Sequence, residues 1–328
     1  MFEFDTTGWN PEILVLGVGA DGVRTANHLI QGNALGISIA TLQASADGEP
    51  TSLAKDRFYL AATTADQPDS AAGLAPLEVA VARADLVIVV FGETAPHETA
   101  YLNTLATTMH EAEDFSIAVV VRESDWWFTN RSATVDPEVD ALCVAFRSVV
   151  VIPRQEIPAC QGRQYSSNTL LDDQLASCVR TITDIVTVPG LNNTDFADIR
   201  TIMHGSGLGG FGTGTARGPN RIINAARLAL TNLPFSASPH KVPGSLVLTT
   251  GGPEMGIGEV NAAMSVIQDA AHPGANIVYS ATVSEEMVDT IRVSLIVSGL
   301  RGSHAPSRAL SESKHRILEV LRSARPKR

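Results

Sequence analysis

Residues 248–299 read LTTGGPEMGIGEVNAAMSVIQDAAHPGANIVYSATVSEEMVDTIRVSLIVSG, and their order of apolar patterns decides the architecture. The runs 245–250, 275–283 and 290–299 are short and rich in Val, Ile, Thr and Tyr, the composition of strands. Between the first two, IGEVNAAMSVIQDAA has apolar residues at helical spacing. Strand, helix, strand, strand is a small α/β unit, and it is placed at 203–301.

Working toward the N-terminus, six glycines fall between 205 and 214, followed by a helical pattern from Arg221 to Leu230. So many glycines predict a loop, an edge or a linker. Upstream, residues 166–186 carry apolar side chains at 170, 171, 175, 178, 179, 182, 185 and 186, which makes one long helix stopped by Pro189-Gly190.

The first half alternates strands and helices. EILVLGVGADGVRTANHLIQ (12–31) reads as a strand, a Gly-rich turn and a helix, and GISIATL (36–42) as a second strand. ADLVIVVF (84–91), FSIAVVV (115–121) and VVVIP (149–153) are near-continuous apolar runs, as in strands buried on both faces of a parallel sheet. Residues 95–114 are helical in period, and 43–80 read as loop and short helices. The prediction is an α/β fold: a Rossmann-like parallel-sheet domain over 1–165, a long central helix with an acidic loop over 166–202, the smaller α/β domain, and a tail from 302 to 328.

Of the 328 residues, 44% are hydrophobic and 18% charged, a globular composition. The longest apolar runs fall far short of the roughly 20 residues of a membrane helix, and MFEFDTTGWN lacks the features of a secretory signal. A soluble, cytoplasmic protein is expected. Three widely spaced cysteines and scattered histidines predict no disulfide and no metal site. The net charge of −11 divides into +5 on the tail and −16 on the body, which excludes nucleic acid as a ligand of the globular part. The tail, with Leu310, Ile317, Leu318 and Leu321 on a basic segment, is a candidate membrane or protein contact.

Two stretches carry candidate chemistry. Gly17, Gly19, Ala20, Asp21 and Gly22 form a strand-to-helix turn whose backbone amides suit a phosphate. No acid closes the second strand at Gln43-Ala44-Ser45, so the turn is not a dinucleotide fingerprint. The other stretch is PGLNNTDFADIR (189–200) with Asn193, Asp195 and Asp198. Asp195 and Asp198, three apart, share a helix face. They either cap a helix that begins near Phe196 or polarise a water toward a phosphoryl group. Spacing alone does not choose.

These residues resemble a known family. PGLNNTDFADIRTIM is similar to the loop of the bacterial tubulin homologue FtsZ in which N-x-D-x-x-D follows the long central helix. Residues 248–299 resemble that family's C-terminal domain element by element, through the G-G-P turn, the E-V-N helix and the A-N-I strand, and 12–30 resemble its first phosphate loop. The resemblance implies a tubulin/FtsZ-like fold and a GTPase site shared between subunits. One subunit binds GTP with Mg in its N-terminal domain, and the next completes the site through Asn193, Asp195 and Asp198, acting in trans across longitudinal head-to-tail contacts.

The same comparison exposes departures. The family's G-G-G-T-G-T-G loop is replaced after ADLVIVVFG by ETAPHETAY, leaving only Gly92. Glycines let phosphate oxygens reach bare amides, whereas Glu93, Pro96 and Glu98 bring two negative charges and remove an amide. The family's N-T-D corresponds to Gln43-Ala44-Ser45, its ribose-side F-E-G-R to Phe128-Thr129-Asn130-Arg131, and its guanine-reading pair to Asp172-Asp173. A degenerate GTP pocket of Gly17, Gly19, Ala20, Asp21, Gly22, Gly92, Arg131 and Asp173 is therefore expected. GTP would be bound weakly or not at all, Mg only with GTP, and the chain alone would have little or no GTPase activity. The partners expected are a second copy or an FtsZ-family filament.

Overall fold

The computed structural model describes residues 11–43, 50–59, 75–92, 115–123, 139, 142–143, 146, 148–154, 167–188, 190, 194–204, 206–234 and 244–299. Asn193, Arg131, Ala44-Ser45, the ETAPHETA segment, the helix read over 95–114 and the tail lie outside these residues.

The first half is a parallel sheet with helical crossovers. β1 (Ile13–Val18) leads into α1 (Gly19–Gln31), then β2 (Ile37–Gln43), β3 (Asp56–Tyr59), α2 (Ala75–Arg83), β4 (Leu86–Phe91), β5 (Phe115–Glu123) and β6 (Ser148–Arg154). Successive side chains of a strand point to opposite faces, and both faces here are covered. Val15, Ile88, Val90, Ile117, Val119 and Val150 enter one core, while Leu16, Val87, Val89, Val120 and Val151 enter another behind the sheet. That double burial is why these strands read as unbroken apolar runs.

The sheet then continues without a break. After the long helix α3 (Ser167–Thr187) and the short α4 (Phe196–Met203) come β7 (Gly207–Arg217), α5 (Arg221–Thr231), β8 (Gly244–Gly251), α6 (Ile257–Ala270), β9 (Asn276–Val283) and β10 (Thr290–Ser298). The strand order is β3-β2-β1-β4-β5-β6-β7-β10-β8-β9, ten strands in all. β7 is the joint: its start pairs parallel with β6, Ser148 opposite Gly207, and its remainder pairs antiparallel with β10. On one side of the sheet α3 and α4 bury Leu175, Ile182, Phe196 and Ile199 against strands of both halves. On the other, α5 and α6 enclose a third core with Val247, Val293 and Leu295.

Two expectations are corrected. The glycine run is not a loop, edge or linker but the strand at the centre of the sheet. A Cβ on Gly212 would strike the carbonyl of Ala229, and one on Gly214 the carbonyl of Ala225. The helix α5 lies directly on β7, with Ala225, Ala226 and Ala229 fully buried at the contact. The glycines are there for close backbone approach, a reason strong enough to override their poor strand propensity. The second correction concerns residues 43–80, which contain the edge strand β3, paired parallel with β2. Three of its four residues are exposed, so it leaves no apolar signature.

Candidate functional site

Open α/β sheets bind ligands beyond the carboxyl ends of their parallel strands, and there β1 turns into α1 and β4 ends at Gly92. Gly19 has φ +63°, a backbone that glycine adopts without strain. A Cβ on Gly17 would collide with the Gly22 carbonyl, and one on Gly22 with the Val90 carbonyl. These glycines let α1 seat tightly on β1 and β4. Ala20 is exposed at the helix start.

The charged groups at this end of the sheet are organised around Asp21. Its carboxylate lies so close over Gly92 that a Cβ there would overlap its Oδ2 atom. Asp21 Oδ1 receives a hydrogen bond from the Arg24 guanidinium, and Oδ2 stands 3.8 Å from Arg154 Nη2 at the end of β6. Arg24 in turn donates from Nε to Asp172, 3.1 Å to Oδ1 and 3.3 Å to Oδ2. Burial pushes the Asp172 carboxyl above its ordinary value, against the pull of Arg24. One turn along α1, His28 Nε2 is 3.4 Å from Asp173 Oδ1. The pair that the family resemblance assigned to guanine therefore faces Arg24 and His28. Gln43 is buried and donates to the Pro50 carbonyl at 3.2 Å.

Arg24, His28 and Arg154 were not among the residues singled out from sequence. Arg24 lies three residues from Asp21, a spacing that makes helix neighbours, and Arg154 ends an apolar strand at the sheet's ligand-binding edge. Those signals pointed to Arg24 and Arg154, and none to His28.

The second candidate, at the start of α4, resolves into a cap. Asp195 is the N-cap with extended backbone; its Oδ1 accepts from the Asp198 amide at 2.9 Å, and Asp198 Oδ2 accepts from the Asp195 amide at 3.3 Å. This reciprocal box satisfies two amides that a helix start leaves open. Thr194 Oγ1 donates to the Tyr279 carbonyl at 3.2 Å, tying the loop to β9. Both carboxylates are exposed, and the cap uses one oxygen of each.

The helix α3 connects the two places. It runs alongside α1 in the same direction: Asp172 meets Arg24, Arg180 donates to the Gly32 carbonyl at 2.6 Å, and Thr187 packs on Gly36. At 1.5 Å per residue, the pocket and the acidic loop lie at opposite ends of about 22 Å of helix.

Comparison with known proteins agrees with this architecture. Residues 207–301 match the model of the FtsZ family, C-terminal domain. The chain is 29% identical over 310 residues to the cell division protein FtsZ of Magnetospirillum gryphiswaldense, covering 90% of this chain and 55% of that protein. It is 28% identical over 318 residues to the FtsZ of Pseudomonas aeruginosa, covering 92% and 80%. The chain thus spans about half the length of the first relative and most of the second. An empty FtsZ dimer from M. jannaschii superposes with a TM-score of 0.77 at 21% identity, covering 89% of each chain. The chain is a divergent FtsZ-like protein with the tubulin/FtsZ fold.

Proposed function

We propose that this FtsZ-like chain is a cytoskeletal, cell-division-related protein that assembles with itself or docks on a related filament by head-to-tail contacts, with GTP binding weak or lost. The observation that carries the reading is the Asp21 carboxylate lying over Gly92. A phosphate brought within about 4 Å of it meets a repulsion of roughly 1 to 4 kcal/mol per charge pair at the dielectrics of water and a protein surface. Asp21 also engages Arg24 and Arg154, the cations a phosphate would use.

Head-to-tail assembly is supported by the placement of the two sites. They sit at opposite ends of α3, so a contact that brings one copy's acidic loop to the next copy's pocket is heterologous and repeats. The acidic loop keeps its carboxylates outward while the pocket is filled from within. Docked on a related filament rather than on its own copies, such a chain joins through its acidic-loop end only, and acts there as a regulator or cap. Among the described residues no helix is long and apolar enough to cross a membrane.

The test combines calorimetric titration with GTP and Mg, sedimentation with and without nucleotide, and turnover with Asp195→Ala as control. Nucleotide-independent sedimentation, alone or with an FtsZ, with weak or absent GTP binding supports the reading. Submicromolar GTP affinity with Asp195-dependent turnover replaces it with an active GTPase.

A further inference from the structure

We infer that the basic tail of this chain, residues 302–328, docks on its own C-terminal region, on an apolar surface of Ile257, Val283 and Val288 rimmed by carboxylates. This interaction goes beyond the function proposed above and does not depend on the state of the GTP pocket.

Two turns make the surface. One joins β8 to α6, and the other joins β9 to β10 through a single 3-10 turn, Glu285–Met287. They are fastened together: the Ser284 amide donates to the Gly251 carbonyl at 2.9 Å, and the Asp289 amide to Glu254 Oε1 at 2.8 Å. Met255 is buried in the core beneath, whereas Ile257, Val283 and Val288 are 59%, 50% and 65% exposed. An aliphatic side chain exposed singly needs no explanation. Three on two fastened turns, with a polar rim, mark a contact surface.

The charge of the rim selects the occupant. Glu254, Glu259, Glu285, Glu286 and Asp289 lie on these turns and the first turn of α6. Among the described residues, the cations beside them are Arg221, which is 7% exposed and already engages Glu254, Glu259 and Asp289, and Arg217, opposite Thr290 in register. The surplus is negative. The tail carries the complement, seven Lys/Arg against two Glu, with Leu310, Ile317, Leu318 and Leu321 at the spacing of one helix face. The exposed Leu53 and Tyr59 near the β3 edge stand instead beside Lys55 and Arg57, which a basic segment avoids.

The tail is long enough. β10 starts at this surface with Thr290 and ends at Ser298, about 26 Å away at roughly 3.3 Å per residue. Leu310 lies twelve residues beyond Ser298, a reach of up to about 40 Å when extended. Such a tether gives an effective concentration on the order of millimolar, so modest contacts suffice. Exposed ion pairs contribute little by themselves, and the apolar match supplies the rest.

The experiment is zero-length carbodiimide cross-linking of the dilute full chain, with the new amide bonds mapped by peptide mass spectrometry in the monomer band. Bonds from Lys314 or Lys327 to Glu254, Glu285, Glu286 or Asp289 should dominate over those to Asp56 or Glu78 in the first half of the chain. Raising the salt to about 0.5 M should weaken them several-fold. Ile257→Ser with Val288→Ser, which leaves every carboxylate in place, should lower their yield at least about fivefold. So should Ile317→Ser with Leu321→Ser in the tail, which leaves the docking surface untouched and decides alone should the first pair not fold. Cross-links confined to a dimer band place the tail on a second copy and overturn docking in cis. Cross-links scattered over the body, or yields indifferent to both apolar pairs, overturn it as well. So does their absence, whether or not the chain sediments with vesicles of phosphatidylglycerol and phosphatidylcholine. A GTP titration of the same protein tests the pocket separately, and neither result bears on the other.

Discussion

Asp195 and Asp198 bond each other's backbone, with the Asp198 amide 2.9 Å from Asp195 Oδ1 and the Asp195 amide 3.3 Å from Asp198 Oδ2. The sequence left open whether these carboxylates cap or catalyse. The structure shows both carboxylates engaged in the cap. Asp195→Ala should therefore lower stability by about 0.5–2 kcal/mol in denaturant unfolding, and Asp195→Ser, which restores an N-cap oxygen, should recover most of it. Sedimentation of the Ser variant, alone or with an FtsZ filament, then separates the two roles. A defect in assembly without a defect in stability assigns the carboxylate to the contact.

The central strand β7 gives a second prediction. Gly214→Val places its first side-chain carbon against the Ala225 carbonyl, the Leu228 Cβ and the Ala229 amide. Backbone on both sides cannot yield, so α5 must lift from the sheet. A loss of at least about 1–3 kcal/mol is expected. The same substitution at Gly218, where a Cβ meets nothing within 4 Å but φ is +72°, tests strain without crowding and should cost less.

Asp184 on α3 predicts a pH response. Burial pushes its carboxyl up to about 6, with Arg180 opposing. A carboxyl raised in the folded state binds protons there more readily than when unfolded, so it lowers stability above pH 6 and ceases to do so as pH falls toward its ordinary value of 3.8. Asp184→Asn should accordingly stabilise the protein at pH 7.5, and the advantage should disappear near pH 4. Melting curves across that range decide it.

Arg221 knots together the far end of the C-terminal region. It is 7% exposed and donates to Glu259 at 2.9 and 3.0 Å and to Glu254 at 2.7 Å, while Glu254 also accepts from the Asp289 amide at 2.8 Å. Hydrogen bonds from Arg221 hold the Glu259 carboxyl below its ordinary value, and those from its own backbone and Arg221 do the same for Glu254. That contribution is present above the ordinary carboxyl value and is lost as pH falls through the depressed one. Arg221→Met should cost about 1–3 kcal/mol at pH 7, and the gap to wild type should narrow in acid.

Much of the fold was legible because its strands are buried on both faces. LVIVVF at 86–91 has no other economical reading once its neighbours show the same pattern. β7 was misread because its glycines answer to a helix that packs on it from later in the chain, which no local propensity reports. The turn at Gly17–Gly22 and the acidic loop were legible as motifs, and the second as a choice between two roles, of which the structure displays the cap and the Asp195 variants test the other. The charged network was not, since Arg24 and Asp172 are 148 residues apart and meet only because α1 and α3 run side by side.

The most direct measurement asks what the purified chain carries. Denaturing it and chromatographing the supernatant reports any retained nucleotide. With the Asp21 carboxylate over Gly92, the account predicts no guanine nucleotide in the released fraction. A stoichiometric amount of GDP or GTP, released from wild-type protein, would contradict it.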